Sequence, residues 1–247
     1  MTKTVLVMSG KGGVGKTTIA VNLSYFLYKK KFDIGLLDVD IHGPNALKMF
    51  GYDNISLEMF DEKIIPFNIF DKLKVVSIAG CINDDSAIIW RGPKKHKAIK
   101  QLIQNVKWGN LDYLVVDFPP GTGDEHISAI QLLDNICGVV IVSTPQMVSL
   151  MDMNRSIDFC NQMNVPILGV IENMSGEIFG SGTVKKKCVE NNINFLGNLR
   201  LSKKISNSSK ICVSFLEEND KKLNKEFEKI VNNIEGVLKN ENCNIIK

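Results

Sequence analysis

The residues best equipped for chemistry stand in one run, Gly10-Lys11-Gly12-Gly13-Val14-Gly15-Lys16-Thr17-Thr18. The spacing Gly-x-x-x-x-Gly-Lys-Thr suits phosphate. Glycines let the backbone curl until successive N–H groups converge on phosphate oxygens at a helix N-terminus. In that arrangement Lys16 reaches the β- and γ-phosphates and the Thr17 hydroxyl ligates Mg²⁺. A chance match in a chain of this length is on the order of 1% at average residue usage. The same letters also spell Gly10-x-Gly12-x-x-Gly15, a dinucleotide fingerprint, with Asp38 where a ribose-binding acid would stand. That rival does not explain why Lys-Thr opens the helix, nor why a second acidic strand end follows downstream.

The second acidic end is Leu114-Val115-Val116-Asp117, followed by Phe118-Pro119-Pro120-Gly121-Thr122-Gly123-Asp124. An apolar strand delivering Asp117 beside the glycine loop completes a Mg·nucleotide site, the carboxylate orienting the metal's water shell. The Gly/Pro-rich loop after it is suited to move with the γ-phosphate. Asp38 and Asp40 end an earlier strand in Leu37-Asp38-Val39-Asp40-Ile41-His42-Gly43-Pro44. Alternating on a strand tip, they face apart and differ in role; one is placed to hold or polarise the attacking water. His42 reads as a bystander. No Asn-Lys-x-Asp guanine signal is present, which favours adenine.

These groups need a scaffold, and the chain supplies one by alternation. Strands are expected at Thr4–Met8, Ile34–Asp38, Lys74–Ile78, Tyr113–Asp117, Gly138–Ser143, Ile167–Glu172 and Phe195–Leu199. Helices are expected at Thr17–Lys30, Lys94–Val106, Glu125–Asp134, Ser149–Gln162 and Val184–Asn191. Strands apolar on consecutive residues indicate parallel strands covered on both faces. The fold class is therefore α/β: a single P-loop NTPase domain over 1–247, with a mostly parallel central sheet and helices on both faces. Residues Phe50–Asp71 read as an insertion or a pair of short strands. A helix over Asn219–Lys239 carries an apolar stripe and a face of mixed charge, the pattern of a docked terminal helix rather than a membrane anchor.

Composition sets the compartment. The net charge of +3, with 44% hydrophobic and 23% charged residues, offers no grip for nucleic acid or an anionic membrane. No apolar stretch approaches the roughly 20 residues of a membrane span, and no secretory signal is expected. The six cysteines, Cys81, Cys137, Cys160, Cys188, Cys212 and Cys243, form no Cys-x-x-Cys pair. A cytoplasmic chain with free, mostly buried thiols is expected.

Lys11 gives the loop a second lysine, in the form Lys-Gly-Gly-Val-Gly-Lys-Thr. The sequence thereby resembles the deviant P-loop class of the nitrogenase iron protein, MinD and ParA, and the Mrp-type iron–sulfur cluster carriers. It is most similar to the Mrp type. The likeness rests on Asp38–Pro44, Trp90-Arg91-Gly92-Pro93, Trp108-Gly109-x-Leu111-Asp112-Tyr113, Asp117–Asp124, Thr144-Pro145-Gln146 and Gly169-Val170-Ile171-Glu172-Asn173-Met174-Ser175, and runs from Val5 to about Ser209. The resemblance implies a homodimer sandwiching two ATP molecules, each Lys11 reaching the partner's phosphates as an arginine finger does. It implies that Asp40 positions the attacking water, that Asp40 and Asp117 meet Mg²⁺ through water, and that Asn173 reads the adenine edge.

The chain departs from the Mrp pattern at one place. Mrp-type carriers set Cys-Pro-x-Cys between the Glu-Asn-Met-Ser and Ile-Phe-Gly stretches, and those cysteines are thought to bridge a [4Fe–4S] cluster across the dimer. Only Ser175-Gly176-Glu177 separates Met174 from Ile178-Phe179-Gly180 here. The cluster ligands are thus unknown; Cys188 is the nearest thiol downstream. Two functions remain open and a third is disfavoured. The first is a dimeric ATPase in iron–sulfur cluster assembly or transfer, with iron–sulfur apo-proteins or a cysteine-bearing relative as partners. The second is a MinD/ParA-like positioning protein. The third, a small-molecule kinase, leaves Lys11 unexplained.

Overall fold

The computed structural model describes residues 1–41, 43–53, 55–81, 92–202 and 221–240. His42, Trp90, Arg91, Ser209, Cys212, Asn219 and Cys243 lie outside the described residues. Seven parallel strands and one antiparallel edge strand form a single sheet. In chain order the elements begin with β1 (Lys3–Met8), α1 (Lys16–Lys29), β2 (Ile34–Asp38) and α2 (Ala46–Met49). A small hairpin of β3 (Met59–Phe60) and β4 (Lys63–Ile64) precedes β5 (Phe67–Phe70) and β6 (Leu73–Ser77). Then come α3 (Gly92–Gln104), β7 (Tyr113–Asp117), α4 (Asp124–Leu132), β8 (Ile136–Ser143), α5 (Met147–Gln162), β9 (Ile167–Ser175), α6 (Thr183–Glu190), β10 (Phe195–Arg200) and α7 (Lys221–Asn240).

The sheet order is β10-β9-β8-β1-β7-β2-β6-β5, and only β5 runs against its neighbour. Its strands are buried on both faces. In β1, Val5 and Val7 enter the core beneath α1, α2 and α7, while Leu6 and Met8 enter the core beneath α3 to α6. That alternation is the pleat of a strand covered on two sides. Register then fixes the chemistry. Asp38 of β2 and Val7 of β1 both pair with Asp117 of β7. The chain leaving β1 and both acidic strand ends therefore meet at the carboxyl edge of the sheet, where open α/β sheets bind ligands.

The apolar stripe of α7 is spent on this core. Leu223, Phe227, Ile230, Val231, Ile234 and Leu238 are all buried, and Phe227 stacks on Phe26 of α1 with ring centroids 5.2 Å apart. The helix lies so close to β10 that a Cβ at Gly197, where φ is +143°, would stand 2.7 Å from Ile230. On its polar side Lys30 bridges to Asn232 and Glu235.

Candidate nucleotide-binding site

The loop from Ser9 to Gly15 is built to expose N–H groups. Gly13 and Gly15 take left-handed φ values of +80° and +85°, which an L side chain disfavours. Gly15 is also the N-cap of α1, and a Cβ there would lie 2.3 Å from Asn173 Nδ2. Gly10 is tighter still, since its Cβ would stand 2.2 Å from the Asp152 carbonyl oxygen of α5. Val14 is buried, and its carbonyl accepts a hydrogen bond from Asn173 Nδ2 at 2.8 Å. Gly12 is exposed beneath Pro120. Thr18 is half-buried, and its carbonyl accepts from Asn22 Nδ2 at 2.7 Å.

Lys16 opens α1 and turns under the loop. Its Nζ donates to Asp117 Oδ1 at 2.6 Å and lies 3.4 Å from the Thr17 hydroxyl. Lys16 is 6% exposed and Asp117 not at all. Burial pushes the Asp117 carboxyl above its usual range, and the Lys16 charge opposes that shift. Its second oxygen, Oδ2, is buried with no hydrogen-bond partner among the described residues. A buried orphan carboxylate oxygen is costly unless something cationic or a donor meets it. Such an oxygen is able to accept from a water bound to a divalent ion.

The two acids at the end of β2 separate in role. Asp38 is completely buried and accepts three hydrogen bonds, from the Asp40 N–H at 3.1 Å, the Ala46 N–H at 3.2 Å and the Ser77 hydroxyl at 3.0 Å. Burial and then the neighbouring Asp117 charge raise its carboxyl to about 7. It is an internal tie between β2, β6 and α2. Asp40 accepts the Gly43 N–H at 3.2 Å and lies within electrostatic reach of Asp117. With Asp38, Asp40 and Asp117 around one ammonium, the pocket has room for further positive charge. Lys11 lies on the outer side, its Nζ 3.4 Å from Gln146 Oε1.

Among the described residues Cys137, Cys160 and Cys188 are buried thiols in no disulfide. Burial lifts the thiols of Cys160 to about 12 and Cys188 to about 11, the latter helped by Glu172. Cys188 is thus a buried thiol with a raised pKa, which a cluster would have to expose and deprotonate before it could serve as a ligand. Among the described residues no group of three or more His, Cys, Asp or Glu is arranged to hold a metal ion.

A family model for ParA, described as NUBPL iron-transfer P-loop NTPase, matches residues 1–235. The chain belongs to that family. It is 41% identical over 248 residues to an iron-sulfur cluster carrier protein of Methanococcus maripaludis, covering 96% of this chain and 86% of the relative. It is 42% identical over 229 residues to a cytosolic Fe-S cluster assembly factor NUBP2 homolog of Dictyostelium discoideum, covering 87% and 86%. Among solved structures, a nucleotide-binding protein of Archaeoglobus fulgidus in complex with ADP matches with a TM-score of 0.71 at 30% identity, over 84% of this chain and 85% of that one. The septum site-determining protein MinD of Pyrococcus horikoshii, complexed with Mg-ADP, matches with a TM-score of 0.72 at 22% identity, over 94% and 95%. The latter likeness is one of fold. The family's P-loop NTPase architecture is thus the one built here.

Three site residues escaped the sequence reading. Ser77 was an unremarked strand residue. Glu172 stood inside the Glu-Asn-Met-Ser run without a role; it is buried and accepts from the Ser175 hydroxyl at 2.7 Å and from the Gly182 and Val184 N–H groups at 2.8 and 2.9 Å. It thereby holds the Ser175–Gly182 turn to the start of α6. The third is His126, three residues after the glycine that caps α4, the position where a side chain can reach back to the N-cap. Its Nδ1 accepts the Gly123 N–H at 3.2 Å and its Nε2 pairs with the Pro119 carbonyl at 3.0 Å, which requires the neutral Nε2–H tautomer. Burial lowers its pKa from 6.5 to about 4. A depressed pKa favours the fold above 6.5, and that contribution is lost as the pH falls toward 4. Over this window the parent's melting temperature should fall further than that of His126→Phe, as differential scanning calorimetry would show; equal slopes count against a neutral buried imidazole.

Proposed function

We propose that this chain is a dimeric Mg·ATP hydrolase that acts as the nucleotide switch in iron–sulfur cluster assembly or transfer. The observation that carries the nucleotide reading is the buried Lys16–Asp117 pair, with the orphaned Asp117 Oδ2 beside Thr17, under a loop of left-handed glycines. In this reading Gly10 to Thr18 cradle the phosphates and Lys16 leaves Asp117 for the β- and γ-phosphates. Thr17 would ligate Mg²⁺, and Asp40 and Asp117 would hold its waters. When bound, Mg²⁺ supplies the charge that neutralises the phosphoryl oxygens. Asp40, on the more open side of the acid cluster, orients the attacking water. Asn173 is already anchored to the Val14 carbonyl through its NH₂ group, and its carbonyl oxygen is an acceptor for the 6-amino group of adenine, where guanine presents a carbonyl oxygen instead.

Dimerisation is supported by what surrounds Lys11. Its partner Gln146 leads directly into Met147, Val148 and Met151 at the start of α5, which are 74%, 60% and 60% exposed. Exposed apolar residues beside a lysine that reaches out of its own site suit burial against a second copy. The iron–sulfur role rests on the 41–42% identical relatives whose names carry it. The described thiols do not fit a cluster, so clients or a cysteine-bearing relative are the partners that would hold it.

Iron and acid-labile sulfide per dimer after anaerobic reconstitution, with Cys188→Ser alongside, tests this reading. An ATP-dependent dimer is expected, with cluster content that Cys188→Ser leaves unchanged. A stoichiometric cluster lost in that variant would mean that α6 rearranges to expose its thiol, and that the chain is itself a carrier.

A further inference from the structure

His126 is a buried, titratable group that the scheme above does not use. It is 1% exposed. Its ring stacks on Phe118, centroids 5.2 Å apart, and meets Phe159 of α5 edge-on at 5.9 Å. Between those rings it makes two hydrogen bonds, one to each end of the five-residue loop Pro119–Gly123 that follows Asp117. That loop is short of other ties. Pro119 and Pro120 have no N–H to donate, and the middle of the loop is held by the Gly121 N–H on the Ser9 carbonyl, 2.8 Å away at the start of the phosphate loop. Pro120 in turn lies over the glycine loop, 3.9 Å from where a Cβ at Gly12 would be.

We propose that His126 is a positioning residue for hydrolysis: it spans the Pro119–Gly123 loop and holds it against the glycine loop, acting on turnover through that loop rather than on nucleotide affinity. This rests on the reading of the chain as an ATP hydrolase. Histidine suits the task because a neutral imidazole carries a donor on one edge and an acceptor on the other, in a flat ring that stacks on Phe118 and meets Phe159 edge-on. Both of its hydrogen bonds go to the loop and none to the glycine run. Losing them should loosen the loop and leave the phosphate cradle intact. A loop free to drift takes the groups near the terminal phosphate out of alignment, where small displacements cost rate steeply.

Two variants separate positioning from simple packing. His126→Phe keeps the ring and the stack but neither hydrogen bond. His126→Gln restores one donor and one acceptor. Steady-state ATP hydrolysis, ADP affinity by calorimetry, thermal stability and hydrogen exchange across residues 118–126 would be compared with the parent. For His126→Phe we expect kcat to fall about tenfold or more, ADP affinity to stay within about threefold, and exchange at the loop to rise with and without nucleotide. His126→Gln should recover part of both losses. Unchanged kcat in His126→Phe overturns the proposal. So does a parallel fall of kcat, ADP affinity and melting temperature with no recovery in His126→Gln, which marks a packing residue only. If the parent itself hydrolyses no ATP, the hydrolase reading fails; loop exchange unaltered by His126→Phe would separately sink the loop-holding role.

Discussion

Lys16→Ala is expected to abolish ATP binding and at the same time to lower the melting temperature. The first effect follows from removing the ammonium that Lys16 places beside Asp117 and Thr17. The second follows from what it leaves behind. Asp117 is completely buried and its one described ionic partner is Lys16 at 2.6 Å. Asp38, its cross-strand neighbour, already titrates near 7 because of burial and the Asp117 charge. Breaking a buried pair by deleting one member costs about 3–5 kcal/mol, since the remaining charge is uncompensated. In a chain of this size that is roughly 10 °C of melting temperature. The sign of the pH dependence is fixed as well. Without Lys16 the Asp117 carboxyl rises further, so the variant recovers stability as the medium is acidified toward that raised pKa. Lys16→Ala combined with Asp117→Asn should regain most of the lost stability and none of the binding. Thermal scans and titration with a fluorescent ATP analogue measure the two effects separately. A Lys16→Ala protein that melts with the parent would show that the ion pair contributes nothing net.

Lys11→Ala, by contrast, is expected to keep ATP affinity within a few-fold and to lose turnover by about 10³, the low end for a charge supplied across an interface. Lys11 makes one long contact to Gln146 inside its own subunit. If it acts on the partner's nucleotide, mixing should reveal it. An Asp40→Ala protomer retains Lys11, and a Lys11→Ala protomer retains Asp40. Equal mixing makes half the dimers mixed, each with one complete site of two, so roughly a quarter of parental turnover returns. Two inactive parents that stay inactive on mixing would place Lys11 in its own site and remove the reason for a sandwich dimer. Parental turnover by Lys11→Ala alone would remove any role at all.

The strands and the glycine loop were legible because their signals are local. Leu114–Asp117 is a continuous apolar run ending in an acid, and a strand buried on two faces cannot read otherwise. The seven expected strands are all present, their ends displaced by no more than three residues. Phe50–Asp71 was legible as an insertion or a pair of short strands, and the pair is β3 and β4; their bounds were not, because each is two residues long and Met59 and Phe60 are exposed, so they carry neither periodicity. β5 runs antiparallel at the edge, a pairing chosen by the sheet and not by its own four residues. In the candidate site, residue types and strand ends were enough to expect Lys16 and Asp117 at one edge of the sheet, where they meet at 2.6 Å. His126, Ser77 and Glu172 depend on which groups of distant backbone arrive beside them. The fate of Cys188 likewise turned on the side of α6 that meets the sheet, which a short helix with three consecutive lysines does not announce.

The contact at Gly10 has a mechanical consequence. With the Asp152 carbonyl 2.2 Å from where a Cβ would sit, the phosphate loop and the second turn of α5 bear directly on each other, with no side chain between them to act as a cushion. A side chain at Gly10 would force the two apart, so the loop and the front of α5, with its exposed Met147 and Met151, can shift only together.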